Sequence, residues 1–187
     1  MSIMENTDEA IKIVALNKYY GSEQVLDEIS FTVEKGKIHG FIGPNGAGKS
    51  TTLNILSGLV HPSSGAVYVD GKSVVDDPRF NENMIFIPAE FKMPEQFTVQ
   101  KYLRTIITFA ALNIPNLKIL ILDEIRNVLI STHILSDLQE IADDITMIKR
   151  GPTGGKIVYT GPKMSDIQKT YEEFFFTPGD GEARLFS

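Results

Sequence analysis

The chain has 187 residues, 18 Lys and Arg against 24 Asp and Glu, a formal net charge of −6, and 42% hydrophobic and 22% charged residues. This ordinary globular usage excludes a disordered or low-complexity chain, and the acidic balance argues against a protein that coats nucleic acid with a basic stripe. No cysteine is present, which excludes a disulfide framework, a zinc ribbon and a thiol nucleophile. No apolar run approaches the roughly 18 residues of a membrane span. The first ten residues, MSIMENTDEA, lack the basic-then-apolar layout of a signal peptide. A soluble, single-domain, intracellular protein is therefore expected.

In chain order, Ile11–Leu16 and Phe31–Val33 read as short strands around a polar turn at Lys18–Gln24. Lys37–Ile42 is an apolar strand that runs into a Gly-rich turn, and Thr52–Leu59 follows with helical spacing of Leu53, Ile55, Leu56 and Leu59. Asp70-Gly71 between Gly65–Val69 and Ser73–Val75 is a two-residue hairpin signal. Met84–Ile87 reads as a strand ended by Pro88, and Thr98–Leu112 as a helix. The apolar runs Leu117–Leu122 and Asn127–Thr132 suit strands buried on both faces. Ile134–Ala142 is helical, Ile145–Ile148 and Lys156–Tyr159 form a Gly-linked strand pair, and Ile167–Phe175 is a last amphipathic helix. Strands alternating with helices predict an α/β fold with a largely parallel sheet.

Gly43-Pro44-Asn45-Gly46-Ala47-Gly48-Lys49-Ser50 satisfies G-x-x-x-x-G-K-[ST] between a predicted strand and a predicted helix, the setting in which the pattern has a mechanism. Glycines let the backbone wrap a phosphate, and the helix N-terminus adds unpaired N–H groups and the positive end of its dipole. Lys49 would reach the β- and γ-phosphates, and Ser50 would offer its hydroxyl to Mg²⁺. A carboxylate for the cation should lie at the end of a neighbouring buried strand. Asp123-Glu124 after Leu117–Leu122 fits: Asp123 would hold Mg²⁺ and Glu124 would act as general base on the attacking water. No N-K-x-D guanine-reading motif occurs, since Asn17-Lys18 is followed by Tyr19-Tyr20.

GPNGAGKSTTLNILSGL, with the preceding LNKYYGSEQVLDEISFTVEKGKIHGFI, closely resembles the ATP-binding cassette (ABC) ATPases. HPSSGAVYVDGKSV is similar to that family's hairpin after the phosphate-loop helix, LKILILDE to its Walker B strand, and VLISTHILSDLQEIAD to its switch region. The resemblance covers most of the chain from about Ile11 to Tyr159 and implies a P-loop NTPase core with a mostly parallel sheet plus an antiparallel β subdomain. It implies ATP and Mg²⁺ as cofactors, ATP contacts from Gly43 through Ser50 and from Thr51, stacking of adenine on Tyr20, and a γ-phosphate contact from His133. The other two histidines, His39 and His61, have no partner motif and read as structural. The wording ISTHILSD most resembles ATPase subunits of bacterial drug, antibiotic or peptide exporters. Implied partners are separate transmembrane permease subunits and a second nucleotide-binding domain, with no nucleic acid. The implied location is cytoplasmic, at the inner face of the cell membrane.

Three features depart from the family. Nothing between Phe91 and Asp123 resembles its signature, LSGGQ or similar, so the helical (signature) subdomain is missing or incomplete. The Pro- and Gly-containing segment with the Asp loop is absent after Glu124. The Gln expected after Ile85–Ile87 is replaced by Ala89, with Glu90 beside it as a substitute metal-side residue. Only Ile125 and Arg126 separate Glu124 from the next strand. Parallel neighbours need a crossover of about a dozen residues, so a literal two-residue connection would reverse the strand and carry His133 away from the phosphate. The expectation is one ABC-type nucleotide-binding domain over residues 1–187, with segments closed up near 109–111 and 124–127. A nucleotide-binding regulatory module that turns ATP over poorly is the alternative. A soluble ABC protein of DNA repair or translation is disfavoured by the acidic charge.

Overall fold

The structure, a computed structural model, describes residues 8–81, 128–131 and 135–176. Its strands are β1 (Glu9–Tyr20), β2 (Glu23–Glu34), β3 (Ile38–Ile42), β4 (Ser64–Val69), β5 (Lys72–Ser73), β6 (Val128–Ser131), β7 (Asp144–Arg150) and β8 (Gly155–Pro162). Its helices are α1 (Lys49–Leu56), α2 (Leu135–Ile141) and α3 (Ile167–Phe175). The strands form one sheet in the order β5-β4-β1-β2-β8-β7-β3-β6. One side is antiparallel, from β5 to β2. On the other, β3 runs parallel to both β6 and β7, and β8 turns back antiparallel to β7. The halves meet at the parallel pairing of Leu26 with Gly155. The division into parallel core and antiparallel subdomain is thus present within a single sheet. No helix of a signature subdomain lies among the described residues.

β3 is buried throughout its last four residues because helices cover both faces. Phe41 joins a core with Phe31, Leu26, Ile148 and Ile55 of α1. Its neighbour Ile42 points the other way, into a core with Leu138 of α2 and Ile167 of α3. Gly40 lets α2 approach, since a Cβ there would lie 3.0 Å from Leu138 Cδ1. The predicted hairpin at Asp70-Gly71 is present, with φ of 48° and 75° at its two central residues, as a type I′ turn requires. Helix α3 spans the predicted residues, capped by the Asp166 carboxylate, which accepts a bond of 2.9 Å from the Lys169 N–H.

Two expectations are corrected. The polar stretch Lys18–Gln24 is mostly strand, with only Gly21 and Ser22 in the turn. The end of this hairpin is solvated, so apolar alternation disappears while backbone pairing continues. Asn17 holds the irregular pairing there, its Oδ1 accepting from Gln24 Nε2 at 3.0 Å and from the Glu28 N–H at 3.1 Å. Leu59 belongs neither to α1 nor to its apolar side: the helix ends at Leu56, and Leu59 is 69% exposed. Met84–Ile87, Thr98–Leu112 and Leu117–Leu122, and both suspected seams, lie outside the described residues. Because β6 is parallel to β3, with Ser131 opposite Phe41, the chain leaves β6 at the edge of the sheet where it also enters the Gly-rich loop. β6 thus runs toward the loop, not away from it as a literal two-residue connection would carry it.

His39 is structural, as expected. It is buried, its Nε2 lies 2.8 Å from Thr146 Oγ1, and its ring stacks on Phe31 at 6.0 Å. Burial pushes its pKa down to about 4, against an opposing pull from Asp144; the Lys37 ammonium adds to the lowering. Between pH 6.5 and about 4 the unfolded chain binds a proton that the folded one refuses, so stability falls as pH drops through that window, by up to about 3 kcal/mol in total. From pH 7 to pH 5 the urea midpoint is expected to fall by the equivalent of about 2 kcal/mol. In His39→Gln that fall should shrink; an identical pH slope in the variant would exclude His39 as its source.

Candidate nucleotide site

The Gly-rich segment leaves β3 at Ile42 and enters α1 at Lys49, the strand–loop–helix order expected. Space at its first glycine is taken by backbone: a Cβ at Gly43 would overlap the Ile148 carbonyl oxygen and lie 2.9 Å from Ile148 Cγ2. Gly48, the residue before the helix, has φ of 101°, and a Cβ there would also lie 3.2 Å from the Val25 carbonyl oxygen. Ala47 and Gly48 are buried, whereas Asn45 and Gly46 stand out at the tip. The loop is closed by a bond from the Ala47 N–H to the Pro44 carbonyl at 3.2 Å.

No side chain caps α1, and its first turn has no acidic residue. This contrasts with α3 and its Asp166 cap. The first N–H groups of α1 are thus left for an anion, with the dipole favouring one. Thr52, fully buried, strengthens the turn: its Oγ1 donates to the Gly48 carbonyl at 3.0 Å, in parallel with its N–H at 2.9 Å. The Lys49 ammonium donates to the Gly43 carbonyl at 2.6 Å and the Pro44 carbonyl at 2.9 Å, and burial lowers its pKa. A half-buried cation whose hydrogen bonds among the described residues are to neutral carbonyls, beside an uncapped helix and a cradle that Cβ atoms would fill, fits a polyphosphate. Ser50 is exposed in the first turn of α1. Among the described residues no cluster of three or more His, Asp or Glu could hold a metal. A cation here would therefore draw on Ser50, the phosphates and a carboxylate from elsewhere.

Tyr20 ends β1 opposite Glu23 and is 48% exposed. The Lys18 ammonium lies 4.8 Å from its ring centroid and is anchored on the His61 carbonyl at 2.9 Å. Val25 and Leu26, a few residues along the same hairpin, are the residues against which Gly48 packs. The hairpin that carries Tyr20 is thus continuous with the wall of the loop. Glu90, Asp123, Glu124 and His133 lie outside the described residues. Motif reading did not single out Lys18, Thr52 or Arg150. Only Arg150 had a local signal, a cation at the end of an apolar strand just before Gly151.

The fold and this loop define a P-loop nucleotide-binding domain. Comparison with known proteins narrows the class: the family profile described as ABC transporter matches residues 26–146, and the chain belongs to that family. It is 37% identical over 101 residues to the petrobactin import ATP-binding protein YclP of Bacillus subtilis, covering 53% of this chain and 38% of that one. It is 28% identical over 226 positions to the lantibiotic transport ATP-binding protein SrtF of Streptococcus pyogenes, covering 88% of this chain and 95% of that one. At least 39 of those positions, the excess of 226 over the 187 residues here, match no residue of this chain. Among solved structures, an ATP-binding subunit of an ABC transporter superposes with a TM-score of 0.62 at 19% identity, over 88% of this chain and 93% of that one, a likeness of fold. No helix among the described residues is long and apolar enough to cross a membrane.

Proposed function

We propose that the chain binds and hydrolyses ATP to drive an ABC exporter whose transmembrane subunits are separate chains. The observation that carries this is the phosphate loop, with Lys49 held on neutral carbonyls beside the uncapped start of α1. In this reading the loop of residues 43–51, through the backbone N–H groups that all of them but Pro44 carry, and Lys49 hold the phosphates, and Tyr20 stacks on adenine. Ser50 and Asp123 hold Mg²⁺, with Glu90 beside them; the ion offsets phosphate charge when bound. Glu124 takes the proton of the attacking water, and His133 meets the γ-phosphate. The direction of β6, which ends beside the loop, supports the last role. A second nucleotide-binding domain would close over the site, at the cytoplasmic face of the membrane. Export is favoured by the ISTHILSD wording and by SrtF, matched over 95% of its length, whereas the import relative is matched over 38%.

One observation favours the second reading, a regulatory module that holds ATP with little turnover. The signature is absent from residues 91–123. The positions of SrtF without a counterpart, at least 39, instead fit closed-up segments, which the motifs put near 109–111 and 124–127. Sequencing the encoding gene across both seams separates the two: an intervening LSGGQ-bearing segment favours the exporter ATPase, and continuous coding favours the module. ATP hydrolysis by the protein and by Glu124→Gln tests the chemistry. A clear loss in the variant is expected, and equal rates would remove Glu124 as general base.

A further inference from the structure

The β7–β8 turn touches both ends of the candidate site. At the phosphate end, a Cβ on Gly155 would overlap the Ala47 carbonyl oxygen, so the turn's backbone lies directly against the loop. Arg150 Nη1 is 3.6 Å from where a Cβ on Gly46 would sit, at the exposed tip. At the other end, Arg150 Nη2 donates to Glu23 Oε1 at 3.4 Å, and Glu23 is the cross-strand partner of Tyr20. Further along β2, the Asp27 carboxylate accepts from the Thr153 hydroxyl and pairs with the Lys156 ammonium at 3.1 Å. Buried Gly154 lies against the same strand: a Cβ there would be 3.1 Å from the Gln24 carbonyl oxygen. Across this turn, the two halves of the sheet share the pairing of Leu26 with Gly155.

We infer that the β7–β8 turn is a clasp that sets the span between the phosphate loop and the Tyr20 hairpin, so that phosphate and base recognition are coupled through Arg150, Thr153 and Lys156. The inference rests on the nucleotide reading above. These are positioning residues, acting through Glu23 and Asp27. The Arg150–Glu23 contact is largely exposed and weak, with side chains 66% and 67% accessible, and the contacts of Thr153 and Lys156 converge on Asp27, which is 16% accessible. A single removal should therefore shift binding modestly while the fold stays intact.

The test compares ATP with tripolyphosphate, which engages the loop but has no base, by calorimetric titration of the full chain. Arg150→Ala is expected to weaken ATP roughly 3- to 5-fold, and Arg150→Ala with Thr153→Val roughly 10-fold. Tripolyphosphate affinity should stay unchanged in both. In a Tyr20→Ala background the same changes should have no further effect on ATP. The charge swap Glu23→Arg with Arg150→Glu should restore ATP affinity. Equal losses for both ligands, a loss that persists without Tyr20, or unchanged ATP affinity would each overturn the clasp while leaving the nucleotide reading intact. Wild-type protein that binds neither ligand would overturn both.

Discussion

Lys49→Met is expected to weaken ATP binding by roughly 100-fold, the loss of two charge-assisted hydrogen bonds of about 1.5 kcal/mol each. Met keeps the aliphatic stem and removes only the charge. In the free protein the ammonium is satisfied by the Gly43 and Pro44 carbonyls at 2.6 and 2.9 Å, and burial holds its pKa down. Phosphate oxygens would replace neutral dipoles with full charges at a desolvated position, which is why the gain on binding is large. The cost to folding is smaller, about 1 kcal/mol for two carbonyls left to solvent. Titration with ATP and a thermal melt of the same preparation separate these effects. A variant that melts near the wild-type temperature and still binds ATP with wild-type affinity would remove Lys49 from the site.

Gly43→Ala is expected to destabilise the fold by about 2 kcal/mol and to abolish nucleotide binding together with it. The added methyl would meet the Ile148 carbonyl oxygen. That atom belongs to the backbone of β7, which pairs with both β3 and β8, so it cannot swing aside as a side-chain tip could. Relief requires the loop or the strand to shift, and either moves the cradle. The melting temperature should fall by roughly 4 to 8 °C. Gly71→Ala is the control for conformation without crowding: its φ is 75° and nothing lies within 4 Å of an added Cβ, so about 1 kcal/mol is lost and binding is kept. Equal behaviour of the two variants would contradict the steric account of Gly43.

The phosphate loop was legible because its three parts are local: an apolar strand, glycines at fixed spacing and a helix start. The turn at Asp70-Gly71 and helix α3 were legible for the same reason, one through residues that accept positive φ and the other through its apolar period. The outer end of the β1–β2 hairpin was not. Its pairing rests on backbone bonds and on Asn17, with both faces solvated, so no alternation reports it. Leu59 failed differently: it continues the apolar period of α1 by one step after the backbone has left the helix at Ser57 and Gly58. The clasp could not be read from spacing, since Glu23 and Arg150 are 127 positions apart and only the sheet brings them together. For β6 the literal two-residue linker argued for reversal and the switch-region resemblance for a strand running toward the phosphate; the parallel pairing with β3 follows the resemblance.

The proposed nucleotide site has two ends, phosphates in the loop of residues 43–51 and base at Tyr20. Photoaffinity labelling of the full chain with 8-azido-ATP, followed by peptide mapping, tests it most directly. Label is expected in the hairpin segment around Tyr20, competed away by ATP and lost in Lys49→Met. Label that falls elsewhere, or that persists in Lys49→Met and in excess ATP, would contradict it.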